Sequence, residues 1–246
     1  MVALDIPALL AGRDIRLAET PQLVLRRLDR GDFECLRHFR AEIVAAIGDP
    51  DILRLMPEEE AYVADSLNAK NLAMGLFKRD RLVAYNSLFW PETDDDLRNL
   101  YIYDEARPRA APREIAYAGG LMVDPLARGA GLQKLLIEVR QVTTYHVRRR
   151  HHFSTVSFAN HFSWRNILEM GGRVVAVYEF EDPRYGHTRR MLTHQAPTPK
   201  ALAPKEIWLA PLDIEAQRDL LVSGHVGTKF RLGSSGAEIA YQREID

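Results

Sequence analysis

A chain of 246 residues, 46% of them hydrophobic, can bury one sizeable core and a small appendage. Its 33 basic and 34 acidic residues leave a formal net charge of -1, so no global field is available to hold nucleic acid or an anionic membrane. A single cysteine, Cys35, excludes an internal disulfide, no Cys/His cluster has zinc-ligand spacing, and no run approaches membrane-spanning length. A reducing compartment, the cytoplasm, and no metal are the expectations.

The opening MVALDIPALLAGRD has a short apolar patch but no basic flank, and Asp5 and Pro7 interrupt it, so it does not read as a signal peptide. Residues 1–20 are expected as a leader, either packed on the domain or partly loose. Gln22–Leu28 reads as a first strand. Asp29-Arg30-Gly31-Asp32 offers N-caps to a helix with Phe33, Leu36, Phe39, Ile43 and Ile47 at helical spacing, ended by Gly48-Asp49-Pro50. Pro57-Glu58-Glu59-Glu60 starts a second helix, with proline at a tolerated position and acids at the positive dipole end. Met74–Phe77 and Leu82–Phe89 form a hairpin around Lys78–Arg81. From Pro91 to Arg113 the pattern breaks, through Asp94-Asp95-Asp96 and a run with Arg107, Pro108, Arg109 and Pro112. These acids either attract a cationic amine or form a solvated face, the commoner role of a charge run.

Ala116–Leu136 is the most informative stretch: an apolar strand through Val123, a turn at Asp124-Pro125, the loop Arg128-Gly129-Ala130-Gly131, and an amphipathic helix opening at Leu132. Glycines let consecutive backbone N–H groups converge on an anion, and the helix adds unsatisfied donors and the positive end of its dipole. A phosphate-bearing ligand is the natural occupant. Neither G-x-x-x-x-G-K-S/T nor G-x-G-x-x-G is present, so the P-loop and Rossmann readings fail. The helix keeps Leu132, Leu135, Leu136, Val139 and Val142 on one side and is expected to end in Arg148–His152. Phe153–Ala159 is the next strand, Ser163–Met170 a helix closed by Gly171-Gly172, and Arg173–Phe180 with Thr188–His194 a closing strand pair. Gln195–Pro204 reads as a linker. A tail follows, with a strand at Glu206–Leu209, a helix at Asp213–Val222, and a hairpin of Val226–Leu232 and Glu238–Tyr241 around Gly233-Ser234-Ser235-Gly236.

The loop resembles the coenzyme-A signature of the GNAT N-acetyltransferase superfamily, Q/R-x-x-G-x-G/A. It runs here from Arg128 to Gln133, with Val123 five residues upstream; Gln133 departs from the usual small residue. Asn160, Ser163 and Gly171 match a second family spacing, and the order strand, two helices, hairpin is how the superfamily begins. The resemblance implies an α/β GNAT acyl-CoA N-acyltransferase fold: a mixed, mostly antiparallel sheet flanked by helices, with a small C-terminal β-containing extension. Its divisions are a leader at 1–20, the acetyltransferase domain at 21–195 and an extension at 196–246 docked on the core.

By the same resemblance, acetyl-CoA is held by backbone groups of Leu121, Met122 and Val123 and by Arg128, Gly129, Ala130, Gly131, Leu132 and Gln133, with Asn160, Ser163 and Asn166 as further contacts. The central strand splays from its neighbour and pairs with the pantetheine arm, and an N–H near Met122 or Val123 serves the thioester oxygen. Where some relatives carry a base six residues before Val123, this chain has Tyr117; Glu114 is the alternative, acting through water. The general-acid tyrosine of many relatives is replaced by Ile167, which leaves Ser163, Asn160, Asn166 and Tyr178 as candidate donors. Asn160 is otherwise a strand-end cap and Ser163 a helix N-cap. Arg148–His152 either grips the ribose phosphate or sits at the helix C-terminus, where cations suit the dipole. The expected reaction moves acetyl from acetyl-CoA to a primary amine by direct transfer in a ternary complex. The alternatives are a coenzyme-A-binding module without catalysis, and a longer acyl donor in a pocket of Met74, Phe77, Phe89 and Trp90, which otherwise fill the core. Partners are an acyl-CoA and an amine acceptor, with neither nucleic acid nor membrane; a homodimer is open through the tail's strands.

Overall fold

A computed structural model of the chain describes residues 4–17, 20–53, 55, 58–100, 102, 110–182, 186–234 and 236–245. Helix α1 (Ile6–Leu10) starts where Asp5 accepts the Ala8 amide at 2.9 Å. Ile6 and Leu9 pack with Ile15 and Leu17 of strand β1 (Ile15–Leu17) in one core cluster, so the described part of the opening segment is packed rather than loose. β2 (Thr20–Leu28) follows, then α2 (Phe33–Ile47), whose buried Leu36, Phe39 and Ile43 form one stripe and whose end is Gly48 at φ 66. α3 (Glu59–Ser66) begins with acids in its first turn; Pro57, expected to open it, lies outside the described residues. β3 (Leu72–Lys78) and β4 (Arg81–Phe89) make the expected hairpin, turning through Arg79 and Asp80 at φ 48 and 64.

Two expectations are corrected here. Asp94-Asp95-Asp96 is not part of an unbroken connection but the first turn of α4 (Asp94–Asn99). Thr93 and Asp96 cap each other's amides reciprocally, and Leu97, 1% exposed, anchors the turn. Arg107, Pro108 and Arg109 lie outside the described residues. After β5 (Ile115–Val123), helix α5 (Leu132–His146) stops short of the basic cluster, and His151 and His152 already belong to β6 (His151–Ser157). Arg149 donates to the carbonyls of Pro91 (2.9 Å) and Ile115 (2.5 Å), tying the connection down.

The chain continues with α6 (His161–Glu169), β7 (Arg173–Asp182), β8 (Gly186–Gln195), β9 (Ala201–Leu202), β10 (Ile207–Leu209), α7 (Ile214–Val222), β11 (His225–Gly233) and β12 (Gly236–Ile245). The described strands run in the order β1-β2-β3-β4-β5-β6-β8-β7-β11-β12-β10, with β9 pairing β12 to the side. β5 and β6 pair in parallel, and every other pairing is antiparallel. α2 and α3 pack on one face around Tyr85 and Met122, and α5 on the other around Leu76, Ala84 and Ala118. The tail joins β7 where Gly227 faces Val174, an approach so close that a β-carbon on Gly227 would stand 2.9 Å from Val174. No helix among the described residues is long and apolar enough to cross a membrane.

Candidate active site

The parallel pair β5/β6 is joined from Ile115–His151 to Ala118–Ser154 and no further. Beyond that point β5 stays with β4, Leu121 opposite Asn86 and Met122 opposite Tyr85, while β6 stays with β8, Thr155 opposite Leu192. The strands therefore part in a wedge. A cavity of about 580 Å³ fills the gap and is lined from both faces of the sheet: Arg40, Tyr62 and Asp65 on the α2–α3 side, Gln133, Arg140 and Ser163 on the α5–α6 side.

The loop at the start of α5 is built by local chemistry. Asp124, 6% exposed, accepts the Leu126 amide at 2.9 Å and the Arg81 guanidinium at 2.7 Å, which fixes the turn after β5. Gly129 and Gly131 adopt φ of 80 and 72, conformations that side chains resist. Gly131 is the N-cap, and no side chain caps the helix, so its first amides and positive dipole end face outward. Arg128, Gly129, Ala130 and Gly131 are exposed, and Leu132 is the first residue buried.

Gln133 clamps α5 to α6: its amide donates to the Ser163 hydroxyl at 3.0 Å and accepts from Asn166 at 2.8 Å. Asn160 caps α6 by accepting the Ser163 amide at 3.1 Å, so the helix N-cap is Asn160 and not Ser163. Gln133, Asn160 and Ser163 line the cavity; Asn166 does not.

Side chains not singled out from sequence complete the wall. Gly119 and Gly120 lie mid-strand, where a β-carbon on Gly119 would stand 2.5 Å from Phe89 and Ser87, and one on Gly120 2.7 Å from Arg40. Their bareness admits Tyr62, whose hydroxyl accepts the Gly120 amide at 2.8 Å and lies 3.3 Å from the Ser87 hydroxyl. Arg40 lies over the Tyr62 ring at 4.5 Å and pairs with Glu59. Burial opposes the Arg40 charge, but the Tyr62 and Tyr85 phenols and Glu59 hold its pKa above the ordinary value. Burial likewise raises the Tyr85 phenol. The interior Gly-Gly pair was the available signal, since glycine inside a strand marks a close approach.

Among the remaining candidates, Tyr117 lines the cavity and its hydroxyl meets that of Thr155 at 2.8 Å, bridging β5 to β6 where they separate. Glu114 is set apart: its carboxylate accepts the Ala111 amide at 3.0 Å in the turn before β5, and it does not line the cavity. Leu121 and Met122 line the wedge, whereas Val123 packs towards the α5 core. Tyr178 faces the cavity, and Ile167 lines it from the core of α6. Of Met74, Phe77, Phe89 and Trp90, Phe89 reaches the cavity; Met74 and Phe77 are core residues on opposite faces of the sheet.

This wedge beside a glycine loop defines the class of fold. No family model and no curated relative matches the chain. Solved structures do. The GCN5-related N-acetyltransferase from Kribbella flavida matches at a TM-score of 0.53 and 17% identity, over 71% of this chain and 98% of that one. NAA60 from Arabidopsis thaliana, in complex with a bisubstrate analogue, matches at 0.56 and 16%, over 71% and 97%. YncA from Salmonella typhimurium, with its cofactor acetyl-CoA, matches at 0.54 and 14%, over 75% and 98%. The chain has the GNAT fold, a mixed, mostly antiparallel sheet flanked by helices, which the C-terminal strands extend.

Proposed function

We propose that the chain is an acyltransferase that moves acetyl from acetyl-CoA to a primary amine, directly, with both substrates bound. The observation that carries this reading is the parting of β5 from β6 after Ala118 and Ser154, beside the uncapped start of α5. Coenzyme A fits that arrangement: the open glycine loop suits a pyrophosphate, and the unpaired strand edge suits an amide-bearing arm. The matched Arabidopsis and Salmonella structures hold a bisubstrate analogue and acetyl-CoA, which supports the same occupant here.

The amides of residues 128–133 would hold phosphate, and the edge of β5 from Gly119 to Val123 would orient the thioester. The Gly120 amide is taken by Tyr62, and the Asp124 amide donates to Val83 of β4. By the two-residue period of a strand Met122 also faces β4, while Leu121 and Val123 present their N–H groups to the open edge, and we assign that of Val123 to the thioester oxygen. Glu58 and Asp65 line the cavity beside α3, where they draw in an ammonium group and accept its proton through water. Ser163 accepts from Gln133, which leaves its own hydroxyl proton for a ligand. Tyr117 braces the wedge against Thr155, and Glu114 has no part in this scheme.

One observation favours the rival binding module: Ile167 stands where the resemblance expects a proton-donating tyrosine. Free thiol released from acetyl-CoA across a panel of amines tests both. Release with any amine supports the transferase; acetyl-CoA binding without release leaves the module, and no binding removes both.

A further inference from the structure

Arg140 lines the cavity and has no role in the scheme above. It lies eight residues beyond Leu132 on α5, about 12 Å along the helix axis. The separated stretch of β5, residues 119–123, spans about 16 Å. Arg140 thus lies near the closed end of the wedge and the loop near its mouth. It lines the cavity together with Ser154, the last paired residue of β6. Its side chain is 2% exposed, and its Nε has no hydrogen-bond partner.

A buried guanidinium is ordinarily matched by a carboxylate, because an uncompensated charge away from water is expensive. Among the described residues the Tyr117 phenol on β5 is the group that holds the Arg140 pKa up against burial, and no carboxylate does so. The neighbour on β6, His152, is held neutral, first by burial and then by Arg140 itself. Burial also lowers the Arg140 pKa to about 10, which still leaves it charged near neutrality. A charged donor kept dry inside a cavity is a preformed anion site.

We propose that the anion is the coenzyme-A thiolate: Arg140 contacts the departing sulfur and compensates for the absent acid at Ile167. This rests on the acyltransferase reading. In the step concerned, the amine nitrogen forms a bond to the acyl carbon, the carbon–sulfur bond breaks with its electron pair going to sulfur, and the ammonium proton passes through water to Glu58 or Asp65. The guanidinium keeps its protons and holds the sulfur until solvent protonates it, so the products are amide and free thiol.

The test is the titration of bound coenzyme A, followed by the ultraviolet absorbance of its thiolate, in the wild type, Arg140→Lys and Arg140→Met. In the wild type the bound thiol titrates at least one pH unit below that of free coenzyme A titrated alongside, with Arg140→Lys close to it. In Arg140→Met the thiol titrates at or above the free value and kcat falls about 100-fold, with the KM for the amine unchanged. Equal thiol titration in wild type and Arg140→Met overturns the proposal and leaves the donor site standing, as does an effect confined to KM with kcat unchanged. Failure of the wild type to bind coenzyme A overturns both. Should Arg140→Met not fold, the wild type's preference for coenzyme A over its desulfo analogue must rise with pH, and a flat preference overturns the assignment. If the true anion is a carboxylate on the acceptor, the bound thiol titrates normally and the proposal fails.

Discussion

The Tyr62 hydroxyl accepts the Gly120 amide at 2.8 Å, joining α3 to the wall of the wedge across 58 positions of sequence. Tyr62→Phe keeps the ring beneath Arg40 but leaves that amide without its partner, at about 1–3 kcal/mol for a buried donor. We expect a lower melting temperature and a kcat reduced roughly tenfold or more, at about 1.4 kcal/mol per tenfold. Thermal melts beside a thiol-release assay check this, and an unchanged kcat would remove Tyr62 from the site.

Gly131 adopts φ 72 with nothing within 4 Å of where its β-carbon would sit. Gly131→Val meets no clash, so its effect is backbone strain of about 1–3 kcal/mol and a reshaped anion cradle. Acyl-CoA binding should vanish in calorimetry while the circular dichroism spectrum is retained. Retained affinity would count heavily against the phosphate assignment.

The Arg40–Glu59 pair has side chains 3% and 14% exposed. Removing one partner strands a buried charge, so Glu59→Leu should destabilise by about 3–5 kcal/mol in urea unfolding. The double variant Arg40→Met with Glu59→Leu should recover most of that loss. Additive losses would show that the pair is not energetically coupled.

What was legible in the sequence was what local chemistry decides. Glycines at 129 and 131, the Asp124 turn and the apolar stripe from Leu132 need no distant partner to be read, and the strand–loop–helix appears at 115–146. The site's far wall was not legible, because Tyr62, Arg40 and Arg140 reach it only through tertiary packing. Thr93 and Asp96 stand at capping-box spacing for α4, but three adjacent acids resemble a solvated run and hide that helix in the sequence. By sequence alone His151 and His152 look like the end of a basic helix. In the fold His152 is 1% exposed and meets Gln195 at 3.0 Å, a pairing that sequence neighbours do not announce.

That burial has a pH consequence. Burial keeps His152 neutral well below 6.5 and lowers His194 to about 3. The unfolded chain protonates both near 6.5, so below that value it binds more protons than the folded state. The contribution of these two histidines to stability is therefore flat above pH 6.5 and falls as pH drops towards 3, by up to about 1.4 kcal/mol per unit for each. Urea midpoints at pH 7.5 and 5.5 test this: His194→Phe, which preserves stacking on Phe153, should lose less between the two than the wild type. Identical losses would contradict it.

The two outermost strands of the sheet, Ile15–Leu17 and Ile207–Leu209, are three residues each. At those two margins a neighbour finds only brief runs of main chain to extend. Self-association by strand addition would gain a seam of a few hydrogen bonds at either margin, so a stable dimer would have to be held through side chains.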